Sequence, residues 1–60
     1  MNRFVYVIYD EFTAEIHEIF ETEEECVSRY VEQFEGFVNI NWMGVNLSFV
    51  LKNFYHIGKQ

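Results

Sequence analysis

No proline occurs anywhere in the chain, so it has neither rigid punctuation nor a proline-rich linker to divide it. The three glycines, Gly36, Gly44 and Gly58, stand too far apart for a Gly-x-Gly-x-x-Gly turn or a phosphate-cradling loop, which removes nucleotide binding of that kind. A single cysteine, Cys26, cannot close an internal disulfide and suits a reducing cytoplasm better than a secreted scaffold. The longest apolar run, Phe4 to Tyr9, is too short for a membrane span or a signal-peptide core. In that setting the sequon Asn46-Leu47-Ser48 carries no glycan. Lys and Arg number four against ten Asp and Glu, and a net charge of −6 repels nucleic acid, so direct DNA or RNA binding is not expected.

What is present is apolar and acidic. Half of the 60 residues are hydrophobic and a fifth aromatic, well above the composition of a disordered acidic tail. Residues 1–60 therefore read as one globular domain, near the lower size limit for folding without metal or disulfide. All ten acidic residues lie between Asp10 and Glu35, whereas residues 36–60 contain none and carry Lys52, His56 and Lys59.

Phe4-Val5-Tyr6-Val7-Ile8-Tyr9 reads as a central strand, because its two faces, Phe4/Tyr6/Ile8 and Val5/Val7/Tyr9, are both apolar. Asp10 to Thr13 turns. Ala14 to Phe20 then alternates imperfectly, with Ile16 and Phe20 on one side and Glu15, His17 and Ile19 on the other, which predicts a hairpin. Thr22 followed by Glu23, Glu24 and Glu25 is a capping box at a helix start, with glutamates at the positive end of the dipole. Cys26, Val27, Tyr30, Val31 and Phe34 form the apolar stripe of that helix, and Gly36 offers a left-handed stop. Arg29 stands within reach of Glu25 and Glu32 on the same helix. Phe37 to Met43 alternates as a third strand, with Val38, Ile40 and Trp42 inside and Asn39 and Asn41 outside, and Met43-Gly44-Val45-Asn46 reads as a turn. The last segment fits two patterns. Leu47, Val50, Leu51, Phe54 and Ile57 make a helical stripe capped by Asn46 and ended by Gly58, while Leu47, Phe49, Leu51, Tyr55 and Ile57 make a strand.

Catalysis and metal binding find little material. His17, His56, Cys26, Ser28 and Ser48 show no zinc-ligand spacing, so no cofactor or metal is expected. Cys26 lies on the apolar stripe behind three glutamates that oppose a thiolate, and reads as a core residue. The helix glutamates are solvated and untuned for acid–base work. Two surface features remain. One is an acidic ridge of Glu24, Glu25, Glu32 and Glu35, extended by Glu15 and Glu18 from the hairpin; its charge spacing is comparable to that along a nucleic-acid strand. The other is an excess of apolar surface, because one helix covers one face of a sheet and the first strand is apolar on both.

The order hairpin, Thr-Glu-Glu-Glu-capped helix and Gly-aromatic strand is carried by Phe4-Val5-Tyr6-Val7, Phe20-Glu21-Thr22-Glu23-Glu24-Glu25 and Glu35-Gly36-Phe37-Val38. It resembles small acidic bacteriophage early proteins and is similar in layout to the RNA-polymerase inhibitors of T-odd phages. Those inhibitors rely on arginines in the last strand, where this chain has Asn39 and Asn41, so the resemblance implies the class and not the target. Phage anti-CRISPR proteins and DNA mimics share the profile.

The expectation is an α+β domain with a ββαβ core, an antiparallel sheet with one helix packed on it, plus a C-terminal helix or fourth strand. It is expected to be a non-catalytic, cytoplasmic inhibitor that binds a host protein with a basic surface. The alternative is a self-assembling accessory protein that forms a homodimer through an apolar sheet face.

Overall fold

The computed structural model describes residues 3–54. Strand β1 (Phe4–Asp10) lies in the middle of a three-stranded antiparallel sheet, between β2 (Ile16–Phe20) and β3 (Ile40–Asn46). Helix α1 (Glu23–Arg29), prolonged by a π-helical segment (Tyr30–Phe34), connects β2 to β3, and α2 (Leu47–Phe54) follows β3 directly. This is the ββαβ core with its C-terminal element in the helical form.

The central place of β1 explains why both of its faces are apolar. Ile8 meets Cys26 and Ile40 on the α1 side, with Tyr6, Phe20, Tyr30, Phe34 and Trp42 packed around them. Val5 and Val7 meet Val50 of α2 on the other, with Tyr9, Ile16, Ile19, Val45 and Leu47 alongside. The apolar surface that a single helix leaves bare is thus covered in part by α2. Asn46 caps that helix by accepting the Ser48 N–H at 2.8 Å, and the Leu47 N–H donates to the Arg3 carbonyl at 2.7 Å. Tyr55, His56, Ile57, Gly58 and Lys59 lie outside the described residues.

Several expected boundaries move. Strand β2 begins at Ile16, and His17 is the extra residue of a bulge opposite Ile8 and Tyr9. The bulge reverses the alternation, so Ile16 and Ile19 share the α2 face while Glu18 and Phe20 share the α1 face. Strand β3 begins three residues later than the alternation from Phe37 predicts. Phe37 donates its N–H to Phe34 O and Ile40 to Phe37 O, and these turn bonds leave Val38 86% exposed. The strand then runs straight through Met43-Gly44-Val45-Asn46, where a turn was expected. Gly44 lies under the ring of Tyr6, whose Cε2 would be 2.9 Å from a Cβ at that position, so this glycine marks a close approach within a strand.

Candidate functional site

The acidic surface is built by α1 and its π-helical extension. Thr22 is the N-cap: its Oγ1 accepts the Glu25 N–H at 3.3 Å and its hydroxyl donates to Glu25 Oε1 at 3.0 Å. That fixes Glu23, Glu24 and Glu25 in the first turn, where the helix dipole favours negative charge. The helix runs from the Phe20 end of the sheet toward the hairpin end, where the Glu35 N–H closes the final i→i+5 turn on Tyr30 O at 2.9 Å. Gly36 follows at φ 99°, the left-handed stop. The wider turn keeps Phe34 over the core with Tyr30, whereas Val31, assigned to the apolar stripe by period, is 51% exposed.

Glu24, Glu25, Glu32 and Glu35 are all exposed. From Glu23 to Glu35 the acidic line is about 18 Å long at 1.5 Å per residue, the length of roughly five phosphates along one strand. Glu25 and Glu32 border a shallow groove together with Phe20, Ser28 and Arg29. Glu15 is exposed in the β1–β2 connection, at the same end of the sheet as Glu35, and adds charge beyond the helix.

Glu18 stands apart from the other acids. Arg29 Nη1 donates to its two carboxylate oxygens at 2.9 and 3.0 Å, a part-buried contact between α1 and β2. The expected Arg29 pairings with Glu25 or Glu32 along the helix do not form, and Glu18 is spent on joining helix to sheet. Arg3 pairs with Glu21. Among the described residues these are the ion pairs, so Arg29, although it borders the same groove as Glu25 and Glu32, is committed to Glu18, and none of the exposed glutamates of the ridge forms an ion pair. Lys52 lies in the last turn of α2, the helix on the opposite face of the sheet.

Two other acids belong to the scaffold. Asp10 Oδ1 accepts the Phe12 and Thr13 N–H groups at 2.8 and 3.1 Å, and Oδ2 accepts from Asn39 Nδ2 at 2.8 Å. The Thr13 bond, foremost among these, holds the Asp10 carboxyl below its ordinary value. Asn41 Nδ2 donates to Glu11 Oε2 at 2.7 Å. Asn39 and Asn41, read as an outward polar face, thus tie the hairpin turn to the start of β3.

Cys26 is fully buried, and burial first, then Glu18 and Glu23, push its thiol up to about 11. It is a core residue and not a nucleophile. Among the described residues no group of His, Cys, Asp and Glu is placed to hold a metal ion, and no helix is long and apolar enough to cross a membrane. Comparison of the chain with models of known protein families, with curated proteins and with solved structures finds no match.

Proposed function

We propose that this protein acts by binding, as a phage-type inhibitor whose acidic α1 face occupies the basic, nucleic-acid-binding surface of a host protein. The observation that carries the reading is the exposed line of Glu24, Glu25, Glu32 and Glu35 along α1, its π-helical extension and the residue that caps it, none of them in an ion pair among the described residues and both described arginines held by other acids. Such a line presents charge along a rod at intervals that suit a groove lined by Lys and Arg. An anti-CRISPR protein, a DNA mimic and a polymerase inhibitor would each use such a face, and what they have in common is competition with nucleic acid. Glu15 extends the charge at one end, and Glu18 contributes by orienting Arg29.

The test is reversal of Glu24, Glu32 and Glu35 to lysine, which brings the net charge from −6 to zero on residues whose side chains support no core contact. Capture of a nucleic-acid-handling protein from bacterial lysate should be lost in the variant and weakened by salt in the wild type. Capture that is equal for both proteins and insensitive to salt would overturn the electrostatic reading.

A further inference from the structure

The two edges of the sheet are protected very differently. Edge strand β2 is short, carries His17 and Glu18, is broken by the bulge at His17 and is flanked by Glu15 and Glu21. Those are the devices that prevent one sheet from pairing with another. Edge strand β3 has none of them: Ile40-Asn41-Trp42-Met43-Gly44-Val45-Asn46 contains no charge and no proline, and its register with β1 is unbroken over the whole strand.

The direction of its free backbone groups follows from the bonds at its ends. Leu47 N–H donates to Arg3 O and Glu11 N–H to Asn39 O, so the odd-numbered residues of β3 face β1. The N–H and C=O groups of Trp42 and Gly44 therefore point away from the sheet, and among the described residues nothing bonds to them. An extended strand is what satisfies such a row.

We infer that the occupant is the β3 strand of a second copy, paired antiparallel about a twofold axis at Met43. Three features of the chain favour a copy of itself. An antiparallel pairing of identical strands is self-complementary: Trp42 exchanges both backbone bonds with the partner's Gly44, and the axis repeats the exchange. The residue opposite each glycine is then a tryptophan, which comes alongside the Tyr6 ring that already lies over Gly44. Finally, no acidic residue lies beyond Glu35, so the joined edges bring no carboxylates of β3 or α2 together. On the α2 face the join unites two apolar grooves bordered by Met43 and Val45. The pairing does not depend on the acidic face having a partner.

Met43 is 40% exposed, so charge can be placed there without burying it in the monomer. Facing Met43 residues have Cβ atoms about 4.5–5.5 Å apart, close enough for like charges to repel. Sedimentation equilibrium from about 10 μM to about 1 mM should take the wild-type mass from near 7.3 kDa toward twice that. Met43→Lys and Met43→Glu proteins, each with a native circular dichroism spectrum, should stay near 7.3 kDa alone and associate when mixed in equal amounts. Amide exchange at Trp42 and Gly44 should slow with concentration in the wild type, while Val45, bonded to β1, is protected throughout. A wild type that remains monomeric at 1 mM, concentration-independent exchange at Trp42 and Gly44, or a mixture of the two variants that fails to associate would each overturn the inference.

Discussion

Replacing Val50 with alanine removes two methyl groups from the residue through which α2 closes the second face of the sheet. Val50 is 3% exposed and packs on Val5 and Val7. At about 0.8 kcal/mol per buried methylene, plus the cavity left between helix and strand, the cost is about 1.5–2.5 kcal/mol. A chain of this size has a total stability of about 3–9 kcal/mol, so the loss is a large fraction of it. Leu51, one residue on, is 51% exposed, and Leu51→Ala should cost about 1 kcal/mol or less. The contrast separates helix from strand. In a strand Leu47 and Leu51 would share a face opposite Val50, whereas in α2 Leu47 and Val50 share the core. Urea unfolding followed by circular dichroism measures both costs against the wild type, with an unchanged m-value showing that the unit still unfolds as one. Equal costs at Val50 and Leu51, or a Val50→Ala cost below about 0.5 kcal/mol, would refute the docking of α2.

Other changes probe the site's supports. Thr22→Ala removes both capping contacts with Glu25 and should cost about 1 kcal/mol, a fall in Tm of roughly 4–8 °C; Thr22→Ser should restore most of it, and an unchanged Tm would contradict the helix start. Cys26 should react with thiol reagents at pH 8 at least about a hundred times more slowly in the native protein than in urea, because its raised pKa and burial both suppress the thiolate; native labelling at the denatured rate would place it at the surface. The same shift makes stability pH-dependent in one direction. The folded state holds the Cys26 proton more tightly than the unfolded chain, so this contribution is intact below the ordinary value of 9.0 and is lost as pH rises toward about 11. Cys26→Ala should lack that decline, which alkaline urea titrations would show.

The parts of the fold legible from sequence are those in which local chemistry and tertiary role agree. Phe4 to Tyr9 is apolar on both faces because β1 is central and covered twice, and Thr22 to Glu25 is a capping box because its contacts span only three residues. The parts that were not legible depend on residues far apart in the chain. Gly44 looked like a turn because nothing nearby announces the Tyr6 ring above it. His17 as a bulge is set by pairing with β1 and not by its own neighbours. Phe37 and Val38 continue the strand-like alternation, yet the left-handed Gly36 and two turn bonds hold them off the sheet, which the chain rejoins where Asn39 O accepts the Glu11 N–H. The ambiguity between helix and strand after Asn46 is resolved by the bare Val5/Val7 face, which a helical Leu47/Val50 pair covers. In the acidic surface, exposure of Glu24, Glu25, Glu32 and Glu35 followed from helical period, but the choice of Glu18 by Arg29, across eleven residues, did not. The signal that could have found it is the apolar stripe itself, which sets α1 against β2 and brings Arg29 over the polar position beside Ile8.

The central claim is that the exposed glutamates of α1 hold a partner that otherwise binds nucleic acid. The most direct measurement is a tagged pull-down from bacterial lysate, washed at low and at high salt, with the Glu24→Lys, Glu32→Lys, Glu35→Lys triple variant alongside and nucleic acid added as competitor. The account predicts one prominent nucleic-acid-handling protein, retained at low salt by the wild type, displaced by competitor and lost in the variant. Retention of the same protein by the variant, undiminished by salt or by nucleic acid, would contradict it.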